Sequence, residues 1–210
     1  MIRYINITDK CFAGCPFCCM NSSKDGKDMP LEVFREVMNK VNPEDYIQIE
    51  GGEPAVHEQF QTICEIVGDT AIKKKSLLSS LNSESIFRSV VAAAYAFDRL
   101  KISWNYFLKN EHFIDMLLEL FPEKVHLGVR VRNEMERYEF MEKYGSYSHR
   151  IESFQNYGRL YKAGTPSGIP VHTTSIGVGY MLVGADGTVY ESGDVESDLI
   201  KRSQAVLQDL

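Results

Sequence analysis

The feature that most constrains this chain is a repeated alternation of short apolar runs with stripes of helical period, spread over about its first 155 residues. Ile2, Tyr4, Ile5 and Ile7 read as a buried strand ending at Thr8. Pro30 then suits a first helical turn, and Phe34, Val37, Met38 and Val41 follow at i, i+3, i+4 and i+7. The pattern repeats with a strand at Tyr46–Glu50 and a stripe of Phe60, Ile63, Cys64 and Val67. A third strand is expected over Ser76–Leu81, followed by a helix face of Ile86, Val90, Ala93 and Ala94. A fourth runs from Leu100 to Trp104, and Asn110 is placed to cap a helix carrying Phe113, Met116, Leu117 and Leu120. Val125–Val131 is the fifth strand, Asn133 with Glu136 resembles a capping box, and Ile151–Phe154 begins a sixth, weaker strand. Strands separated by helices must pair in parallel through crossovers, so the fold class is α/β. Six units are too few for a closed eight-fold barrel, and a partial, open (β/α)6 TIM-like barrel fits better.

After Arg159 the texture changes. Gly164 to Pro170 reads as a boundary, and Tyr180–Val183 and Thr188–Tyr190 flank Ala185-Asp186-Gly187, a hairpin signal. The expected division is a barrel over 1–163 and a C-terminal β-hairpin extension over 164–210. Composition agrees with a globular chain: 44% hydrophobic and 25% charged residues exclude a disordered tail, a coiled coil and a collagen-like rod. A net charge of -6 demotes a general nucleic-acid or anionic-membrane binder. Met1-Ile2-Arg3-Tyr4-Ile5-Asn6 offers no apolar signal core, and the longest apolar run, Val90–Phe97, is far short of the roughly 18 residues of a membrane span. A cytoplasmic location, with neither nucleic acid nor membrane as partner, is the expectation.

Four of the five cysteines fall between Cys11 and Cys19. In a reducing compartment such clustering points to metal or redox chemistry more than to disulfides. Cys11, Cys15 and Cys18 can converge from a short irregular loop, whereas the adjacent Cys18 and Cys19 side chains diverge. Three thiolates without a nearby fourth ligand make an open site, since His57 is far along the chain. An iron–sulfur cluster with one exchangeable iron, a structural zinc knuckle and merely buried thiols all remain open on spacing alone. A thioredoxin-like pair of Cys15 and Cys18 is weaker because it leaves Cys11 unused. Cys64 lies on an apolar helical stripe and reads as an inert core thiol, while Cys19 is either packing or a hydrogen donor.

Cys11-Phe12-Ala13-Gly14-Cys15-Pro16-Phe17-Cys18 resembles the CxxxCxΦC motif of radical SAM enzymes, with Phe17 at the aromatic position. Glu50-Gly51-Gly52-Glu53-Pro54, after the second strand, resembles that family's GGE motif. Leu78-Ser79-Ser80-Leu81-Asn82, Ile102-Ser103-Trp104-Asn105 and Tyr157-Gly158-Arg159 resemble weaker strand-end motifs of the family, and the likeness spans about residues 1–160.

The resemblance implies one [4Fe–4S] cluster held by Cys11, Cys15 and Cys18, with the amino and carboxylate groups of S-adenosylmethionine (SAM) on the fourth iron. It places Phe17, Gly51, Gly52, Glu53, Pro54, Ser80, Ser103 and Asn105 around SAM, with the Glu53 carboxylate and the glycine carbonyls receiving the methionine ammonium. Asn105 stands where the family has an acidic residue. Reductive cleavage would give a 5′-deoxyadenosyl radical that abstracts hydrogen from a small-molecule or peptide substrate, the electron coming from a donor such as flavodoxin or ferredoxin. Alternatives are an activase installing a glycyl radical on a partner enzyme, and a non-catalytic iron–sulfur protein. Arg130 and Arg132, on one strand face by alternation, and Tyr157 are the substrate-binding candidates; no residue is assigned as catalytic. The C-terminal hairpin resembles the start of an auxiliary-cluster domain without its cysteines, since none follows Cys64.

Overall fold

A computed structural model describes residues 2–16, 18, 22–153, 180–183, 185 and 189–191. Six strands alternate with five helices: β1 (Ile2–Thr8), α1 (Leu31–Asn39), β2 (Tyr46–Gly51), α2 (Phe60–Gly68), β3 (Lys74–Ser79), α3 (Glu84–Ala93), β4 (Arg99–Asn105), α4 (Glu111–Leu120), β5 (Val125–Val131), α5 (Glu134–Tyr144) and β6 (His149–Ser153). These strands pair in parallel in sequence order. The sheet is open, as expected of a partial barrel. The expected hairpin forms from β7 (Tyr180–Val183) and β8 (Val189–Glu191). It does not stand apart, because β7 adds in parallel to the free edge of β1 and continues the sheet. The expected boundary between 163 and 164 lies outside the described residues.

Strand alternation sorts the side chains into two layers. Ile5, Ile7, Ile47, Ile49, Leu77, Leu100, Ile102, Leu127 and Val129 face the helices and are buried. They meet Phe34, Ile63, Val90, Leu117 and Phe140 in one continuous core. Each residue fully removed from water in this way contributes about 1.5–3 kcal/mol. Trp104 belongs to this layer, packed 5.2 Å from the Phe140 ring, so it is a core aromatic and not a mouth residue. The opposite strand positions are mostly polar: Tyr4, Asn6 and Thr8 on β1, Gln48 and Glu50 on β2, Ser76 on β3, Lys101, Ser103 and Asn105 on β4, His126 and Arg130 on β5, with Leu78 on β3 an apolar exception beside Lys101. An apolar outer face and a polar inner face are what a barrel needs when its lumen is a site and not a packed core.

Local chemistry decides several boundaries differently from the sequence pattern. β3 ends at Ser79, two residues before Leu81, because Leu81 takes φ 46 and turns its buried side chain out of the strand direction. Pro30 is the residue before α1 and not within its first turn. Asn133 does cap α5, accepting from the Glu136 N–H at 3.0 Å, but the Glu136 carboxylate reaches Arg132 and not back to Asn133. Asn110 stands at the N-cap position of α4, as expected, but its side chain makes no capping bond there. Fully buried, it donates instead to the Ser80 carbonyl at 2.5 Å and the Ser103 carbonyl at 2.9 Å, tying the ends of β3 and β4 together.

Candidate functional site

The cysteine loop hangs from a stem. The chain leaving β1 pairs with the chain entering α1: Asp9 N–H donates to the Lys27 carbonyl at 2.8 Å, Cys11 N–H to the Ser23 carbonyl at 2.9 Å, and Met29 N–H to the Ile7 carbonyl at 2.7 Å. Asp28 anchors the stem, accepting from the Thr8 hydroxyl at 2.6 Å and from Lys10 Nζ at 2.8 Å. Burial pulls the Asp28 carboxyl up, but Lys10, Thr8 and the Glu58 amide outweigh it and hold it below its usual range. Cys11, Cys15 and Cys18 are half-buried on the loop above, none of them in a disulfide, and Cys18 N–H donates to the Cys15 carbonyl at 3.2 Å.

The turn after β2 is laced to this stem. Gly52 N–H donates to the Thr8 carbonyl at 2.7 Å and Glu53 N–H to the Lys10 carbonyl at 2.8 Å. Neither glycine has room for a side chain: a Cβ on Gly51 would lie 2.3 Å from the Thr8 oxygen, and one on Gly52 would lie 2.2 Å from the Lys10 oxygen. Gly51 also takes φ 146, where residues with a Cβ are strained. In the structure their bare α-carbons admit the stem of the cysteine loop. Gly26 does the same from the other side, its would-be Cβ lying 2.2 Å from the Asp9 carbonyl carbon. Nothing in the sequence marked Gly26, because its neighbour is brought there only by the stem.

Glu53 is 1% exposed, and its carboxylate is taken up by protein donors. It accepts from Ser79 Oγ at 2.9 Å, Ser80 N–H at 2.7 Å, Ser80 Oγ at 2.6 Å and Ala55 N–H at 3.3 Å. Burial raises its pKa and these four donors oppose the rise. In this geometry the carboxylate is a clamp between the β2 turn and the end of β3, and both oxygens are occupied where the sequence expected an ammonium acceptor. Ser80 is correspondingly a clamp residue in its side chain and a partner of Asn110 in its carbonyl. Pro54 is buried and opens a short 3-10 turn to Val56. His57 follows that turn, with Nε2 2.9 Å from the Met29 carbonyl and Nδ1 accepting from Gln59 N–H at 2.9 Å, a structural histidine.

Ser103 and Asn105 lie on the inner face of β4, with Asn105 Oδ1 accepting from Phe107 N–H at 3.0 Å. Arg130 shares that face on β5, but Arg132 does not: β5 ends at Val131, and Arg132 turns to Glu136, with Nε 2.5 Å from Oε1. Its guanidinium also covers the Tyr106 ring at 3.9 Å. Strand alternation failed there because the buried Glu136 supplies a partner at the strand's end. Phe17, Cys19 and Tyr157 lie outside the described residues. A residue that the sequence pattern missed is Lys101, whose ammonium meets the Gln48 carbonyl oxygen while the Gln48 amide meets Glu50. Burial pushes the Glu50 carboxyl up to about 7, against the pull of Gln48 and Lys101.

Among the described residues, no three His, Cys, Asp or Glu side chains stand close enough to hold a metal ion together. The three thiols share a loop but not yet a cage. Their donor chemistry nevertheless suits an iron–sulfur cluster: three soft sulfur donors with no hard ligand among them. The buried Cys64 thiol, pushed up to about 12 by desolvation, is unsuited to either metal binding or redox work. Among the described residues no helix is long and apolar enough to cross a membrane. No curated protein matches the chain. The family model for the radical SAM superfamily matches residues 5–178.

Proposed function

Because the chain belongs to the radical SAM superfamily, whose members are generally enzymes and typically bind a [4Fe–4S] cluster and SAM, we propose that it is a radical SAM enzyme with a single cluster. When bound, cluster and SAM supply the electron transfer and hydrogen abstraction that the protein's own groups lack. Cys11, Cys15 and Cys18 hold the cluster, and with only three thiolates they leave one iron for SAM. Gly51 and Gly52 fix the height of the cysteine loop over the sheet, because their bare α-carbons let the stem carbonyls of Thr8 and Lys10 close on them. Glu53, with Ser79 and Ser80, holds that turn rigid, which leaves the glycine carbonyls and not the Glu53 carboxylate to receive a cation. Pro54 fixes the direction of the turn. Ser103 and Asn105 on β4, with Phe17 on the cysteine loop, complete the SAM contacts. The substrate is a small molecule or peptide held in the polar lumen, and an electron donor of the flavodoxin or ferredoxin kind serves the cluster.

The single observation that carries this reading is the lacing of the three-thiol loop onto the Gly-Gly turn. Anaerobic reconstitution with iron and sulfide, followed by reduction with SAM present, tests it. The expected product is 5′-deoxyadenosine. Full iron loading with no 5′-deoxyadenosine would leave only the non-catalytic iron–sulfur protein.

A further inference from the structure

Asn6 and Glu50 stand opposite each other where β1 and β2 reach the site. They are register partners on the inner face, two residues before Thr8 and one before Gly51. Asn6 is 1% exposed, and its carbonyl oxygen Oδ1 has no hydrogen-bond partner among the described residues. A buried acceptor left unbonded is costly, so its position calls for a donor.

The cross-strand neighbour able to supply one is Glu50. Its Oε2 accepts from the Gln48 amide, and that amide is held in one orientation because Lys101 donates to its carbonyl oxygen. This leaves Oε1 to meet Asn6. A carboxylate would set oxygen against oxygen there, whereas a carboxylic acid presents an O–H. Burial favours the acid, raising the Glu50 pKa to about 7 against the pull of Gln48 and Lys101. The other charged groups of the neighbouring elements have partners or lie further along. Arg3 is paired with Asp45, Lys10 with Asp28 and Glu58, and Glu53 is clamped by Ser79 and Ser80. His57 meets the Met29 carbonyl, the Tyr46 hydroxyl meets Ser76, and Lys74 is the register partner of Tyr46, four positions down β2. The thiols of Cys11, Cys15 and Cys18 are on the loop above.

Asn6 suits both states of this acid. Its carbonyl accepts from the O–H, and turned over its NH2 donates to the carboxylate. Turning breaks no hydrogen bond to Oδ1. Glu50 can therefore lose and regain its proton in place. Consecutive α-carbons are 3.8 Å apart, so a cation on the glycine carbonyls lies within about 10 Å of the Glu50 carboxyl. A unit charge at that range favours the carboxylate by roughly tenfold.

We infer that Glu50 and Asn6 form a proton-holding pair beside the Gly51–Gly52 turn, and that the pair gives up its proton when cationic SAM binds at that turn, leaving the Glu50 carboxylate as a further counter-charge. The proton passes from the Glu50 O–H to solvent, the Asn6 amide turns to donate to the carboxylate, and no electron moves. The inference rests on the proposed function, which places SAM there, and adds a link between SAM binding and pH.

The test uses reconstituted, unreduced protein, so that SAM binds without being cleaved. Calorimetric titration with SAM at pH 6.5, in buffers of different ionisation enthalpy, counts the protons released. Wild type should release about half a proton more per SAM than Glu50→Gln. Its affinity should be about fivefold weaker at pH 6 than at pH 8, after division by the same ratio in Glu50→Gln, which removes the titration of SAM itself. Infrared difference spectra between pH 6 and pH 8 without SAM read the pair directly. A protonated-carboxyl band should be lost in Glu50→Gln and shifted in Asn6→Leu. Equal proton release in wild type and Glu50→Gln, with SAM bound in both, overturns the link and leaves the proposed function standing; this comparison holds even if Asn6→Leu fails to fold. A band that is missing from wild type, or unmoved in folded Asn6→Leu, overturns the pair. Failure of SAM to bind would sink the proposed function and the link together, while the infrared bands still decide the pair.

Discussion

Replacing Gly52 by alanine probes the joint between the two parts of the site. The added methyl carbon would lie 2.2 Å from the Lys10 carbonyl oxygen and 2.7 Å from its carbon, both backbone atoms. An ordinary contact begins near 3.4 Å, so the stem must retreat by about 1.2 Å. Overpacking of this kind costs about 1–3 kcal/mol. The retreat also breaks the 2.8 Å hydrogen bond from Glu53 N–H to the same oxygen, worth about 1 kcal/mol. Gly52→Ala should therefore destabilise the iron-free protein by about 2–4 kcal/mol, and lower iron loading because Cys11 is the residue after Lys10. The assay is urea denaturation under reducing conditions, read as a shift of midpoint at constant slope. Gly128→Ala is the control, since among the described residues its methyl would meet only the Ile102 carbonyl oxygen, at an ordinary 3.9 Å, and the change spares the backbone entropy of glycine; it should be neutral or stabilising by up to about 1 kcal/mol. Equal midpoints for the two variants would refute the argument that the stem is seated on Gly52.

Three further outcomes are expected. In the folded iron-free protein, iodoacetamide should modify Cys11, Cys15 and Cys18 and spare Cys64, whose burial pushes its pKa to about 12, and Cys64→Ala should keep its iron where Cys15→Ala loses it. Glu50 holds its proton up to about pH 7 in the fold but only to about 4.5 when unfolded, so the native state binds the extra proton between those values and stability falls as pH rises through them. The whole effect is at most about 3.5 kcal/mol, and Glu50→Gln should flatten that part of the stability curve measured from pH 4.5 to 7. Asn110→Ala should cost about 1–3 kcal/mol in urea denaturation, because the half-buried carbonyls of Ser80 and Ser103 lose the same donor; a loss under 0.5 kcal/mol would contradict the tie between β3 and β4.

The order of strands and helices was legible because each burial stripe, such as Phe60, Ile63, Cys64 and Val67, repeats at the period of its element. The whole of β5 was legible for the same reason, its alternation being unbroken from Val125 to Val131. What escaped were side chains whose partners are distant in sequence. Glu53 finds Ser79 and Ser80 from 26 and 27 positions away. Asn110 reaches the carbonyls of Ser80 and Ser103 and so gives up its capping role. Arg132 was placed by alternation one residue beyond where the strand ends. Lys101 carried no motif, and its place in the lumen emerges only when β4 is set beside β2 through the Gln48 amide. The glycine pair was legible as a motif, but its nearest neighbour, the Lys10 carbonyl, was not.

With Cys11, Cys15 and Cys18 as its ligands, the proposed cluster has one iron open to SAM. Electron–nuclear double resonance on the reduced, reconstituted protein with SAM carrying 15N at its amino group tests this directly. A 15N coupling to the cluster is expected in the wild type and in Cys64→Ala, with loss of the cluster signal in Cys15→Ala. A cluster signal without 15N coupling, or one that survives Cys15→Ala, would contradict it.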